Sequence, residues 1–230
     1  MNPSLPHLKI LRNIFLFLVT SLIISCHCED MTCQGLKPEL AAWIPNRVGD
    51  SITFTNGTGN EILFKVINYD IAVTKNVDCH PVSLGCYCPN CAEETSAYNS
   101  VTTDTSWALI DSLGNTFRTY QYMGARVLEY GSFPDASHSL SYGVFDHSNI
   151  IGIDSNFNIK LSGNDSLLSN FAIGARTYTN VVVHETDTAS PPHYPHLLYR
   201  YFVIKSYYNK EYGVIAFYDL LTQSLFYRED

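Results

Sequence analysis

The residues best equipped for chemistry are seven cysteines, Cys26, Cys28, Cys33, Cys79, Cys86, Cys88 and Cys91, and eight histidines. Four of the thiols crowd into the stretch from Cys79-His80 to Cys86-Tyr87-Cys88-Pro89-Asn90-Cys91. Thiolates at Cys-x-x-Cys spacing, with Cys79 or His80 close by, are the ligand types of a tetrahedral zinc site. In an oxidising compartment the same thiols form disulfides instead. Redox catalysis is a third use, but it calls for a helix N-terminus that lowers the thiol pKa. Pro89 and Asn90 mark a loop, and no helical pattern follows them. His193 and His196 also have ligand-like spacing, with His184, Glu185 and Asp187 upstream. Pro191, Pro192 and Pro195 deny them the helix on which that spacing is productive. A solvated loop is the expectation there, and no metal site is assigned.

Other catalytic patterns are weaker still. A serine hydrolase elbow, Gly-x-Ser-x-Gly, does not occur. Gly124-Ala125-Arg126 and Gly174-Ala175-Arg176 lack the Lys-Ser/Thr pair and the following helix of a phosphate loop. Asp104, Asp135, Asp146 and Asp154 can become a glycosidic carboxylate pair only through the fold, and nothing in the sequence selects two of them. Asn56-Gly57-Thr58 and Asn164-Asp165-Ser166 fit glycosylation acceptors, at turn-like places where such triplets arise by chance. No catalytic residue and no cofactor is assigned.

The compartment decides how the thiols are read. Lys9 and Arg12 precede an apolar run of eleven residues, Ile14 to Ile24, and no acidic residue comes before Glu29. That is the layout of a secretory signal peptide. A spanning helix needs about 20 apolar residues, so the run is too short to be an anchor. Ile23-Ile24-Ser25-Cys26 looks like the bacterial lipobox, in which the chain is cut before the cysteine and the thiol takes diacylglycerol. Several acyl chains hold a protein firmly where one holds only marginally, at about 0.8 kcal/mol per buried methylene. The pair Glu29-Asp30 resembles a short acidic tag for the outer cell surface. With Cys26 lipidated, six cysteines remain, and an even number past an export signal reads as disulfides among Cys28, Cys33, Cys79, Cys86, Cys88 and Cys91. Their connectivity stays open.

Removal of residues 1–25 takes away Lys9 and Arg12 and leaves 12 basic against 22 acidic side chains, a net charge of −10. Such a surface excludes nucleic acid, whose phosphates demand clustered Lys and Arg, and disfavours lying flat on anionic lipid. Sixteen tyrosines and twelve phenylalanines, with many Thr, Val and Ile, suit a pleated, half-buried surface.

The elements that must position these residues are strands. Residues 26–47 read as lipidated cysteine and tether, with at most two helical turns around Leu36, Leu40, Trp43 and Ile44 between Pro38 and Pro45. Residues 48–230 read as a single β-rich domain. Ser51 to Thr55, the cluster Asn56-Gly57-Thr58-Gly59-Asn60 and Glu61 to Ile67 make a hairpin. Residues 75–94 are expected to form a stapled, cysteine-rich loop. Trp107 to Ile110, Thr116 to Tyr122, Arg126 to Tyr130, Leu140 to Phe145, Ile150 to Leu161 and Ala175 to Glu185 read as strands, and residues 184–195 as a Pro-rich loop. Leu197 to Tyr208, Val214 to Tyr218 and Ser224 to Arg228 form a C-terminal meander. This predicts an all-β fold, an antiparallel sandwich or an open, curved, barrel-like sheet. Tyr199, Tyr201, Tyr207, Tyr208, Tyr212 and Tyr218 crowd the meander, as core lining with hydroxyls at the rim or as a contact surface.

The lipobox cysteine, the start Val48-Gly49-Asp50-Ser51-Ile52-Thr53-Phe54, the Cys86-x-Cys88 and the ending Tyr207-Tyr208-x4-Gly213-Val214-Ile215-x-Phe217 together resemble uncharacterised lipoproteins of Bacteroidetes-type bacteria. The resemblance is thin, runs end to end and implies an all-β domain behind a lipid anchor; it transfers no functional residues. The expected address is the bacterial outer membrane, lipid-anchored and surface-exposed. The first functional expectation is a non-enzymatic binding or structural module for an envelope protein or glycan. Two alternatives stand beside it: a carrier of lipid or another apolar ligand in a β-sheet cavity, and a hydrolase with non-local carboxylates.

Overall fold

The computed structural model describes residues 36–76, 90–102, 108–110, 116–118, 122–130, 137–145, 147–161, 163–186 and 201–229. Among them are one short helix, α1 (Pro38–Ala41), and fourteen strands. The first half holds β1 (Ser51–Thr55), β2 (Glu61–Asn76), β3 (Asn90–Thr102), β4 (Ala108–Ile110), β5 (Thr116–Arg118) and β6 (Tyr122–Tyr130). The centre holds β7 (Ser137–Val144), β8 (His147–Ile153), β9 (Ile159–Lys160), β10 (Asp165–Ile173) and β11 (Arg176–Glu185). The meander is β12 (Val203–Asn209), β13 (Gly213–Asp219) and β14 (Ser224–Arg228). The all-β expectation holds.

Twelve strands form one sheet in the order β10-β11-β12-β13-β14-β1-β2-β3-β6-β7-β8-β9, and β4 pairs with β5 apart from it. Every pairing is antiparallel. β1 is the hinge of this order. It places Ile52 opposite Phe64 of β2 and Phe54 opposite Arg228 of β14, and so joins the first half of the chain to the meander. The sheet curls until β7 lies over β12 and β13: Tyr142 packs on Tyr208 at 4.5 Å between ring centroids, and Phe145 meets the edge of Phe217 at 5.5 Å. The end strands β9 and β10 share no ladder, so the curl stops short of a closed barrel.

Strand burial follows from which faces are covered. In β1, Ile52 and Phe54 are fully buried while Ser51 is exposed, the alternation of a half-buried strand. β13, Gly-Val-Ile-Ala-Phe-Tyr-Asp, is buried almost throughout, because it is covered on both faces. Val214 and Phe217 join the main core, whereas Ile215 joins a second cluster with Tyr178, Val181 and Val183. The β10–β11 hairpin builds that second cluster. Phe171 stacks on Tyr207 at 4.6 Å, and the hairpin tip at Gly174 lies against Tyr227 of β14.

The main core is filled with aromatic rings. Phe54, Phe64, Phe217 and Phe226 are buried to within 1% of complete, and Phe54, Phe217 and Phe226 form a continuous contact at 5.2 and 5.3 Å. Burying one such side chain contributes about 1.5–3 kcal/mol. α1 and the residues that follow it plug this core with Leu40, Trp43 and Ile44. Pro38 sits in its first turn, where the missing N–H costs nothing. The Tyr208 hydroxyl donates to the Trp43 carbonyl and ties the plug to β12. Among the described residues no helix is long and apolar enough to cross a membrane.

Four expectations are corrected. The loop expected over 75–94 is strand at both ends, because β2 runs to Asn76 and β3 begins at Asn90, placing Cys91 in a strand. The strand expected over 150–161 breaks after Ile153, where the Asp154 carboxylate accepts the backbone N–H groups of Asn156 and Asn158 and makes a turn. The first strand of the meander, expected from Leu197, excludes Tyr201 and Phe202 and runs from Val203, while residues 197–200 lie outside the described residues. β10 was not expected at all. Its sequence, Asp-Ser-Leu-Leu-Ser-Asn-Phe-Ala-Ile, does not alternate, and its conformation comes from pairing with β11.

Candidate functional site

The residues singled out for chemistry are mostly not those that the fold gathers. Cys26, Cys28, Cys33, Cys79, Cys86 and Cys88 lie outside the described residues, as do His80, Asp187, His193 and His196. Asp104, Asp135 and Asp146 lie outside them too, and Asp154 is occupied by its turn. Asn56 is likewise a turn residue, its side-chain oxygen accepting from the Thr58 and Asn60 backbone and from the Thr58 hydroxyl. Among the described residues no group of three or more His, Cys, Asp and Glu side chains is placed to hold a metal.

Two polar clusters form instead. Asp165, His184 and Ser206 occupy one row across β10, β11 and β12, each paired with the next. Ladder partners point to the same face. His184 Nδ1 lies 2.8 Å from Asp165 Oδ1, and the Asn149 amide of β8 donates to the same oxygen at 3.0 Å. Asn149 also reaches the Tyr142 hydroxyl at 3.4 Å. Burial pushes the Tyr142 hydroxyl up to about 12, against the opposing effect of its hydrogen bonds with Asn149 and Ser206. An Asp-His-Ser row has the residue types of a hydrolytic triad, but Ser206 is completely buried. A nucleophile closed to solvent cannot meet a substrate, and the geometry is that of a latch between β8 and β10.

The second cluster is Lys37, Glu129 and His138. Glu129 Oε1 takes Lys37 Nζ at 3.2 Å and His138 Nε2 at 3.3 Å. His138 Nδ1 is buried without a hydrogen-bond partner among the described residues. Above it lies Phe157, 5.8 Å from the His138 ring and 5.7 Å from the Lys37 ammonium.

Phe157 leads to the candidate site, a groove of about 370 Å³ where the sheet fails to close. The segment after α1 supplies Trp43, and the β8–β9 turn with the first residue of β9 supplies Phe157, Asn158 and Ile159. On the facing wall are Leu167 of β10 and Thr179 and Asn180 of β11. The β12–β13 turn closes one end with Asn209, Lys210 and Glu211. Asn209 shapes this turn: its side chain donates to the Thr179 carbonyl at 2.7 Å and accepts from the Glu211 and Tyr212 N–H groups.

Two groove residues pay a conformational cost. Phe157 and Asn180 have φ of +61° and +53°, a region that non-glycine residues, bulky ones above all, seldom adopt. Strain of this kind gathers at ligand sites. Asn180 falls between the Leu168–Val181 and Asn170–Thr179 pairs of the β10–β11 ladder, whose register is the same on either side of it. Trp43 is only 5% exposed, its indole N–H has no partner among the described residues, and the Lys210 ammonium sits 5.0 Å from its ring centroid. Trp43 follows the short helix α1, and Lys210-Glu211 lie in the turn between β12 and β13. Their convergence has no local signal, because they lie on elements far apart in the chain.

No family model, curated protein or solved structure matches the chain.

Proposed function

We propose that the chain is a lipid-anchored binding module of a bacterial envelope, holding its ligand in the groove between β9 and β10. The observation that carries the binding reading is the contrast between interior and seam. The interior is packed with Phe54, Phe64, Phe217 and Phe226, so it supports a module with a surface site over a carrier with an internal cavity. The seam offers a concave site of about 370 Å³ with mixed apolar and polar walls, within the usual range of about 300–1,000 Å³ for small-ligand pockets.

The anchor rests on Ile23-Ile24-Ser25-Cys26 behind its apolar run. With it come an outer-membrane address, disulfides among the six remaining cysteines, and the resemblance to Bacteroidetes-type lipoproteins. In a bacterial host, a clickable palmitate analogue is expected to label the wild-type protein, and Cys26→Ala is expected to be unlabelled and released from membranes. An unlabelled wild type, or a Cys26→Ala chain that stays membrane-bound, overturns the anchor. For the binding reading, soluble envelope fragments (muropeptides, lipopolysaccharide core oligosaccharide, outer-membrane extract) are added during thermal unfolding. A ligand that binds only the folded state raises the midpoint with concentration, and a midpoint indifferent to all of them refutes the reading.

A further inference from the structure

Resting on that reading, we infer that the groove takes a neutral, hydroxyl-rich ligand: a saccharide ring. Three observations select this class. First, the side chains of Asn158, Asn180 and Thr179 line the groove without a side-chain hydrogen bond among the described residues. An amide offers donors and an acceptor together, and a hydroxyl does both. Such groups match sugar hydroxyls, which also do both, whereas a carboxylate or phosphate uses only their donors and leaves their acceptors unmatched.

Second, the charges cancel. Lys210 and Glu211 are neighbours in one turn, and the Lys210 ammonium is engaged with the Trp43 ring. The groove therefore has no surplus of either sign to select an ion. Third, Phe157, Ile159 and Leu167 give it an apolar side, and Leu167 is 45% exposed. A pyranose has a C–H face to lay there while its hydroxyls meet the amides. The unpartnered Trp43 N–H adds a buried donor beside the site, and a buried donor left unmade costs about 1–3 kcal/mol. A ligand oxygen, or a shift of Trp43 on binding, satisfies it.

The experiment uses the mature chain in detergent and follows the indole N–H signals by NMR; there are two tryptophans, Trp43 and Trp107, and Trp107→Phe identifies the Trp43 signal. Probes are glucose, galactose, mannose, N-acetylglucosamine and their β-linked disaccharides, set against glucuronate, glucose 6-phosphate and a neutral tripeptide. At least one neutral saccharide is expected to move the Trp43 signal in a saturable way, and its charged counterpart to bind at least tenfold more weakly. Asn180→Gly keeps the positive φ while deleting the amide. It is expected to fold at least as stably as the wild type and to weaken saccharide binding tenfold or more; Asn158→Ala is expected to weaken it as well. If neutral saccharides leave Trp43 unmoved while a charged probe or the tripeptide moves it, the saccharide inference falls and the binding reading stands. Saccharide binding untouched by Asn180→Gly and Asn158→Ala overturns the groove as its seat. Silence of Trp43 toward every probe, together with no thermal shift from envelope fragments, removes both.

Discussion

Asp165 is almost wholly enclosed, with a side chain 2% exposed, and it accepts from both His184 and Asn149. Removing it takes a shared acceptor from the part-buried His184 ring and the buried Asn149 amide, and a buried polar group deprived of its acceptor costs about 1–3 kcal/mol. Asp165→Ala is therefore expected to lower the unfolding free energy by roughly 2–4 kcal/mol in urea titration; a loss below about 0.5 kcal/mol refutes the latch. The buried tyrosines make a pH prediction. Tyr98 and Tyr142 stand at about 12 in the folded chain against an ordinary 10.0, mainly because burial penalises the phenolate, and Tyr208 is pushed up for the same reason. Between those values only the unfolded chain gives up the protons, so stability is intact below about pH 10 and falls as the pH rises toward 12. The phenolate absorbance of these residues is expected to appear together with loss of the β-sheet circular dichroism. Ionisation of all tyrosines well before unfolding contradicts their burial.

At the scale of elements, the β10–β11 hairpin does two jobs. Its base pairs with β12 only over Val182 to Glu185, and beyond that its side chains pack on the meander, Phe171 against Tyr207 and Tyr178 in a cluster with Ile215. Gly174 makes this possible. Its φ is +58°, and a Cβ there would meet the Tyr227 ring at 2.8 Å. The left-handed conformation alone costs an L-residue about 1–2 kcal/mol, and overlap adds to it. Gly174→Ala is expected to destabilise by about 2–3 kcal/mol, combining this term with the overlap. In a Tyr227→Ala background the cost is expected to shrink toward the conformational part, and a double-mutant cycle reads the difference. An equal cost in both backgrounds shows that the tip does not rest on β14.

Among the described residues, twelve strands form one sheet, with β4–β5 apart from it, and the two ends of the large sheet are linked by the Asn149–Asp165 hydrogen bond between β8 and β10 and not by a ladder. Stability is expected to be uneven in consequence. β13 is paired on both sides and covered on both faces, whereas β9 and β10 each have one ladder neighbour. Hydrogen exchange is expected to protect β13 longest, with amides of β9 and β10 opening first and at lower free energy. Uniform protection across the sheet means that the seam is closed in solution. The groove sits at this weak boundary, and ligand binding is expected to slow exchange in β10 and in the β8–β9 turn most. That links the opening of the fold to its proposed use.

Much of this was legible along the chain. The Ser51–Asn60 alternation and turn residues make the first hairpin, and Gly213 with the apolar run behind it makes the meander; both are local, since pattern and turn chemistry act over a few residues. The net acidity and the character of the first thirty residues are likewise properties of composition and order. The tertiary structure alone decided the rest. β10 carries no alternation and is a strand because β11 pairs with it, while β13 reads as an apolar run because two layers cover it. The groove joins Trp43 to Asn180 and Lys210, more than 130 positions apart. No spacing rule spans such a distance, for it is set by how far a twelve-stranded sheet curls before its edges meet.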